Sequence, residues 1–165
     1  MQSTKEKIQT AAARLFRKQG YNGTSMNNIA EEVGIKAASI YNHFKSKQLI
    51  LKNLLLNVAA LFTKGMNEIA MANLSVEEKL QHLIALHVRL TVDHTDAVAL
   101  IVGEWVHLEE PIKTTYLESR NQYEKQFKNI IEQGKREGKI KSIDIEIILF
   151  STLSTLHWLY SWYNK

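Results

Sequence analysis

Between Thr24 and Lys47, small, polar and basic side chains are spaced to suit contact with a nucleic acid. Ala37, Ala38 and Ser39 carry no bulk, so a helix bearing them can bring its backbone close to a groove floor. An alanine methyl can touch a thymine methyl, and a serine hydroxyl can hydrogen-bond a base edge or a phosphate. Tyr41, His43 and Lys47 suit phosphates, contacts that fix register without reading sequence. Charge points the same way. Residues 1–47 hold eight Lys and Arg against three acids, net +5, while the remainder holds thirteen against fourteen, net −1. A basic module joined to a nearly neutral one suits phosphate contact, and charge alone is equally consistent with a solvated basic surface.

Other chemistry finds little footing. With no cysteine, disulfides and thiolate metal sites are excluded. His82, His87, His94 and His107 invite a metal reading, and Glu104 and His107 stand one turn apart. No HExxH or paired-histidine spacing is present, and a lone histidine on an apolar face more often satisfies a core hydrogen bond, so no metal is expected. Gly134–Gly138 reads as a helix end rather than a phosphate-cradling loop, and no serine sits in a nucleophile elbow. The chain is therefore expected not to be an enzyme and to need no cofactor. The start, MQSTKEKIQT, lacks the apolar run of a secretory signal, and no stretch is expected to cross a bilayer. A cytoplasmic location is expected.

The elements that must position these residues all read as helices. One proline and seven glycines argue against a turn-rich β fold. Ile8, Ala11, Ala12, Leu15 and Phe16 make one stripe of a first helix, Thr4 to Lys18, with Gly20 expected as a left-handed cap. Ser25 caps a second helix, with Asn28 in the capping-box position, and Gly34 stops it. A third runs from Ala37 to His43, with Ile40 and Phe44 packing inward. Ser46 caps a fourth, to Met71. Ser75 opens a fifth, whose inner face is Leu80, Leu83, Ile84, His87, Leu90 and Thr91. A mostly apolar helix follows from Asp96 to Leu108, and Pro111 opens a long one to Glu137. The last begins at Asp144 and is apolar on most sides from Ile147 to Tyr163, so a second copy of the chain is the expected cover.

Phe16, Gly20, Thr24, Ile29-Ala30, Gly34, the run Ile40-Tyr41-Asn42-His43-Phe44 and Lys47 closely resemble the TetR family of bacterial regulators. The resemblance implies an all-α fold: a three-helix helix-turn-helix head at 1–47 and a helical ligand-binding and dimerisation bundle at 48–165. It implies that Thr24, Tyr41, His43 and Lys47 hold phosphates, while Lys36, Ala37, Ser39 and Asn42 face the major groove. Ser25 and Ala38 complete the expected DNA surface. Lys36 departs from the serine or threonine frequent in the family, and Asn28 from an acid.

His87, Glu104-Trp105-Val106-His107-Leu108, Arg120-Asn-Gln-Tyr123 and the Trp158–Tyr163 run resemble a subgroup that responds to acyl-CoA esters. That resemblance implies an apolar acyl-CoA effector. The expected pocket comprises Phe62, Met66, Leu83, His87, Leu90 and Leu100, with Glu104, Trp105, Tyr123, Phe127 and Trp158. Members commonly continue with another helix beyond the position of Trp162, so a dimer-forming element is expected past Lys165. The expected partners are palindromic double-stranded operator DNA, a small-molecule effector and a second copy of the chain, without a membrane. The alternative is a helical ligand-binding or enzymatic bundle with no specific DNA binding, and a further rival is a purely structural interaction module.

Overall fold

The computed structural model describes residues 2–163, and the expected domain ends at Met1, Asn164 and Lys165 lie outside them. Among the described residues there are helices and no strand. In chain order the helices are α1 (Thr4–Gln19), α2 (Met26–Val33), α3 (Ala37–Ile40), α4 (Lys47–Met71), α5 (Val76–Asp93) and α6 (Thr95–Gly103). A 3-10 turn at Glu104–His107 leads to α7 (Ile112–Arg136), α8 (Ile145–His157) and α9 (Leu159–Tyr163).

Local chemistry starts most of these helices. Ser3, Ser25 and Ser75 each close a capping box with Glu6, Asn28 and Glu78. Each serine oxygen accepts an amide that the first helical turn leaves unpaired. Ser46 caps α4 through the Leu49 amide, and Asp144 accepts the Glu146 and Ile147 amides at the start of α8. Gly34 ends α2 as expected, and it does so in a left-handed conformation at φ 75°. Gly20 caps α1 as expected, with a positive φ of 78° that favours glycine, though its ψ of 158° lies outside the left-handed helical basin. Its N–H still donates to Phe16 O, so the helix ends there.

Two apolar clusters share α4 as a spine. The first gathers Ile8, Ala12 and Phe16 of α1 and Ile29, Ile40 and Phe44 around Ile50, Leu51 and Leu55. It also takes in Leu100, Leu108 and Tyr116 from beyond residue 47, so the head has no core of its own. The second packs Val58, Phe62 and Met66 against α5, α7 and α8. The membrane expectation needs correcting on one point. By length and composition α4 is apolar enough to cross a bilayer. Its buried apolar side chains pack into the two clusters, while Leu61 and Met71 stay exposed.

Three further readings change. The expected helix at 96–108 tightens to a 3-10 turn after Gly103. Ile84 is 48% exposed, because the inner face of α5 runs through Leu83, Leu86, His87 and Leu90. The final helix breaks at Trp158, and Ile147, Phe150, Trp158 and Trp162 remain half or more exposed.

Candidate nucleic-acid interface and buried cavity

The α2–α3 region combines a buried anchor with an exposed face. Ile40 and Phe44 are buried and anchor the segment, while Lys36, Ala37, Ala38, Tyr41, Asn42 and His43 are exposed and Ser39 is half-exposed. The regular helix is shorter than the expected Ala37–His43. After Ile40 the chain continues in tighter turns, with the Asn42 amide donating to Ser39 O and the His43 amide to Ile40 O.

Two expected phosphate contacts need a different account. Thr24 is 2% exposed, and its hydroxyl donates to Gly20 O at 2.9 Å while accepting from Gln19 Nε2. Its side chain ties the α1–α2 turn and does not face outward. Lys47 donates from Nζ to Tyr21 O and Thr24 O, both at 2.7 Å, and lies 4.1 Å from the Tyr21 ring centre. Burial holds its ammonium below the usual lysine range. Lys47 therefore clamps the turn and has one proton left for an outside group. Ser25 is exposed but engaged as the cap of α2.

Tyr21, which the sequence alone did not single out, joins the head to the body. Its amide donates to Glu104 Oε2 at 3.1 Å, and its ring stacks on His107 at 5.3 Å. In a 3-10 turn, residues three apart eclipse, so Glu104 and His107 share the face toward Tyr21. Their side chains are 3.5 Å apart. Trp105, between them, turns into the body instead. Arg17 adds a second tie, donating to Asp96 Oδ1 at 2.9 Å and to Tyr160 O at 3.2 Å.

The body holds a cavity of about 260 Å³, partly open to solvent, between α4, α5, α6, α7 and α8. Of the expected pocket residues, Phe62, His87, Trp105 and Tyr123 line it. The others do not. Met66, Leu83, Leu90 and Phe127 fill the second cluster, and Leu100 belongs to the first. Glu104 faces Tyr21, and Trp158 is 60% exposed and stacks on Tyr160. Periodicity marks which side chains point inward, but not which of them border a void.

Sequence reasoning missed the polar part of the lining. Thr63 and Ser119 hydroxyls meet at 3.2 Å, and Ser154 and His157 of α8 complete the wall. The Arg120 guanidinium lies 5.0 Å over the Trp105 ring, with Nε 3.6 Å from Glu124 Oε1. Only the i, i+4 spacing of Arg120 and Glu124 could have pointed to that pair. Deeper, His87 Nε2 and Tyr123 Oη lie 2.7 Å apart. Burial pushes the His87 pKa down to about 3, with the His157 charge adding to the effect, and it pushes the Tyr123 hydroxyl well up. Both groups are neutral at ordinary pH. Among the described residues no three His, Cys, Asp or Glu side chains gather to hold a metal, and His82 and His94 are exposed.

Comparison with known proteins gives this arrangement a class. Residues 8–54 match the family described as bacterial regulatory proteins, tetR family, and residues 73–165 match the tetracyclin repressor-like C-terminal domain. The chain belongs to the TetR family of transcriptional regulators. Among its relatives, it is 30% identical over 156 residues to the HTH-type transcriptional repressor KstR2 of Rhodococcus jostii, spanning 93% of this chain and 76% of that one. The structure of ketosteroid transcriptional regulator KstR2 of Mycobacterium tuberculosis superposes with TM-score 0.91 at 22% identity, covering 98% of this chain and 84% of the other. AibR, solved with isovaleryl coenzyme A and operator DNA, superposes with TM-score 0.84 at 24% identity, covering 97% and 87%.

Proposed function

We propose that this regulator is a ligand-responsive repressor that binds palindromic operator DNA as a cytoplasmic homodimer. A small apolar effector of the acyl-CoA class releases it. The observation that carries the reading is the 3-10 turn, which puts Trp105 on the cavity and Glu104 and His107 on the head. An occupant that displaces Trp105 must also move the groups that hold Tyr21. Such coupling requires the ligand to prefer one head position over the other. AibR, which was captured with both an acyl-CoA and operator DNA, supports the effector class.

In this reading Lys36, Ala37, Ala38, Ser39 and Asn42 face the major groove, and Tyr41, His43 and the remaining Lys47 proton meet phosphates. Thr24 and Ser25 position that surface from behind. The exposed Ile147, Phe150, Trp158 and Trp162 support a second copy packed along α8 and α9. Two heads would then reach successive major grooves about 34–36 Å apart.

A gel-shift titration against genomic fragments with non-specific competitor tests this, with and without isovaleryl coenzyme A. One fragment with two half-sites about one helical turn apart should be retained by the protein and released by the ester. Ser39→Ala should change which half-site bases are preferred. Binding no more selective than the net charge explains, or a Ser39→Ala profile identical to wild type, overturns the proposal.

A further inference from the structure

The deep wall of the cavity has a hydrogen-bonding capacity that the protein leaves unused. His87 Nε2 and Tyr123 Oη are 2.7 Å apart and buried, and both residues line the cavity. His87 Nδ1 has no hydrogen-bond partner among the described residues. A neutral imidazole carries one N–H and one bare nitrogen, and a phenol carries one O–H. The bond between them uses one donor and one acceptor whichever tautomer is present. If Nε2 is protonated, the Tyr123 O–H is left free to donate and Nδ1 to accept. If Nδ1 is protonated, Tyr123 donates to Nε2, which leaves the Nδ1–H as the donor and the phenol oxygen as the acceptor. In either case, one donor and one acceptor are left over.

Resting on the effector reading above, we infer that the buried end of the ligand carries a neutral oxygen, a hydroxyl or a ketone, docked against the His87–Tyr123 pair. A plain hydrocarbon tip would leave the spare donor buried and unmatched, which disfavours it. A carboxylate tip would find no net positive charge. His87 is neutral through burial, and the Arg120 charge is offset by Glu124 at 3.6 Å. The neighbouring wall is aromatic, with Phe62 4.8 Å from the His87 ring, so the remainder of the buried group is apolar.

Benzyl alcohol and ethylbenzene, probes of matched shape, separate the possibilities. Binding is read by tryptophan fluorescence in wild type and in a His87→Leu, Tyr123→Phe double variant. Replacing both partners by apolar groups removes the unmatched pair without leaving half of it behind. The preference for benzyl alcohol over ethylbenzene should fall by roughly tenfold in the double variant, as expected for one or two neutral hydrogen bonds. An unchanged ratio overturns the inference. Should the variant not fold, the imidazole nitrogen resonances of His87 in wild type decide. They should move with benzyl alcohol and stay with ethylbenzene, and an equal response to both probes overturns the inference as well. If neither probe enters the cavity, the effector reading itself falls.

Discussion

In α2 the polar side chains answer their own backbone, whereas around the cavity they answer each other across helices. Ser25 and Asn28 complete their box three residues apart. His87 and Tyr123 are separated by 36 positions, and Thr63 and Ser119 by 56. The head is thus specified by short motifs that can be read in isolation. The chemistry of the body exists only after α4, α5 and α7 have packed. The two regions nonetheless share a core, since Leu100, Leu108 and Tyr116 lie in the same cluster as Phe16 and Ile29.

The largest effect should come from breaking that shared core. Phe16→Ala removes a fully buried ring and should cost about 3–5 kcal/mol of stability. All three tryptophans, Trp105, Trp158 and Trp162, lie in the body. If head and body fold as one, the tryptophan fluorescence and far-UV circular dichroism midpoints in urea should fall together. An unmoved tryptophan transition beside an early loss of helix would restore 1–47 as an independent folding unit.

A second test concerns the body alone. His87 has its pKa lowered to about 3, mainly by burial. The unfolded chain takes up a proton below about 6.5 that the folded chain refuses. Its contribution is therefore complete above that pH and is lost as the pH falls toward 3, at no more than about 1.4 kcal/mol per pH unit. Burial lowers the His157 pKa too, which adds in the same direction. Urea midpoints at pH 7 and pH 5 should differ clearly in wild type and less in His87→Gln. Equal acid sensitivity in both proteins would place the effect elsewhere.

The same contrast explains what the sequence revealed. Gly34 and Ser25 act through neighbours a few positions away, and Ile40 and Phe44 show their inward face by their spacing of four, so these roles could be read directly. Thr24 and Lys47 could not be assigned that way. A threonine and a lysine beside a short exposed helix look available to phosphate, and only the folded turn shows the Tyr21 and Thr24 carbonyls competing for the ammonium. In the body, the long helix opened by Pro111 was legible, and it buries Tyr116, Tyr123, Phe127, Ile130 and Ile131. Which inward residues border empty space was not. Met66 and Phe62 sit four apart on one face of α4, yet only Phe62 touches the cavity.

A smaller effect should come from the turn inside the head. Gly34 has φ 75° and ψ 33°, and a Cβ there would meet nothing within 4 Å. Gly34→Ala therefore isolates the backbone cost of a left-handed residue, roughly 1–2 kcal/mol, with no clash added. Chemical denaturation should report that loss. Operator affinity should fall further than stability alone explains, because α2 and α3 are held at their angle by this turn. A loss of stability with unchanged operator affinity would mean that the angle survives.

The smallest and sharpest comparison uses one chemistry in both regions. Ser25→Ala and Ser75→Ala each remove the oxygen that accepts an orphan amide, at about 1 kcal/mol apiece. The helices they start are unequal: α2 has 8 residues and α5 has 18. A short helix has few internal hydrogen bonds to hold its first turn once the cap is gone, so α2 should fray where α5 holds. Urea midpoints should shift alike for the two variants. Operator affinity measured at a fixed salt concentration should drop for Ser25→Ala and stay near wild type for Ser75→Ala. Equal loss of affinity in both would mean that DNA binding follows the stability of the whole chain. The head would then owe its competence to the core it shares with the body rather than to its own caps.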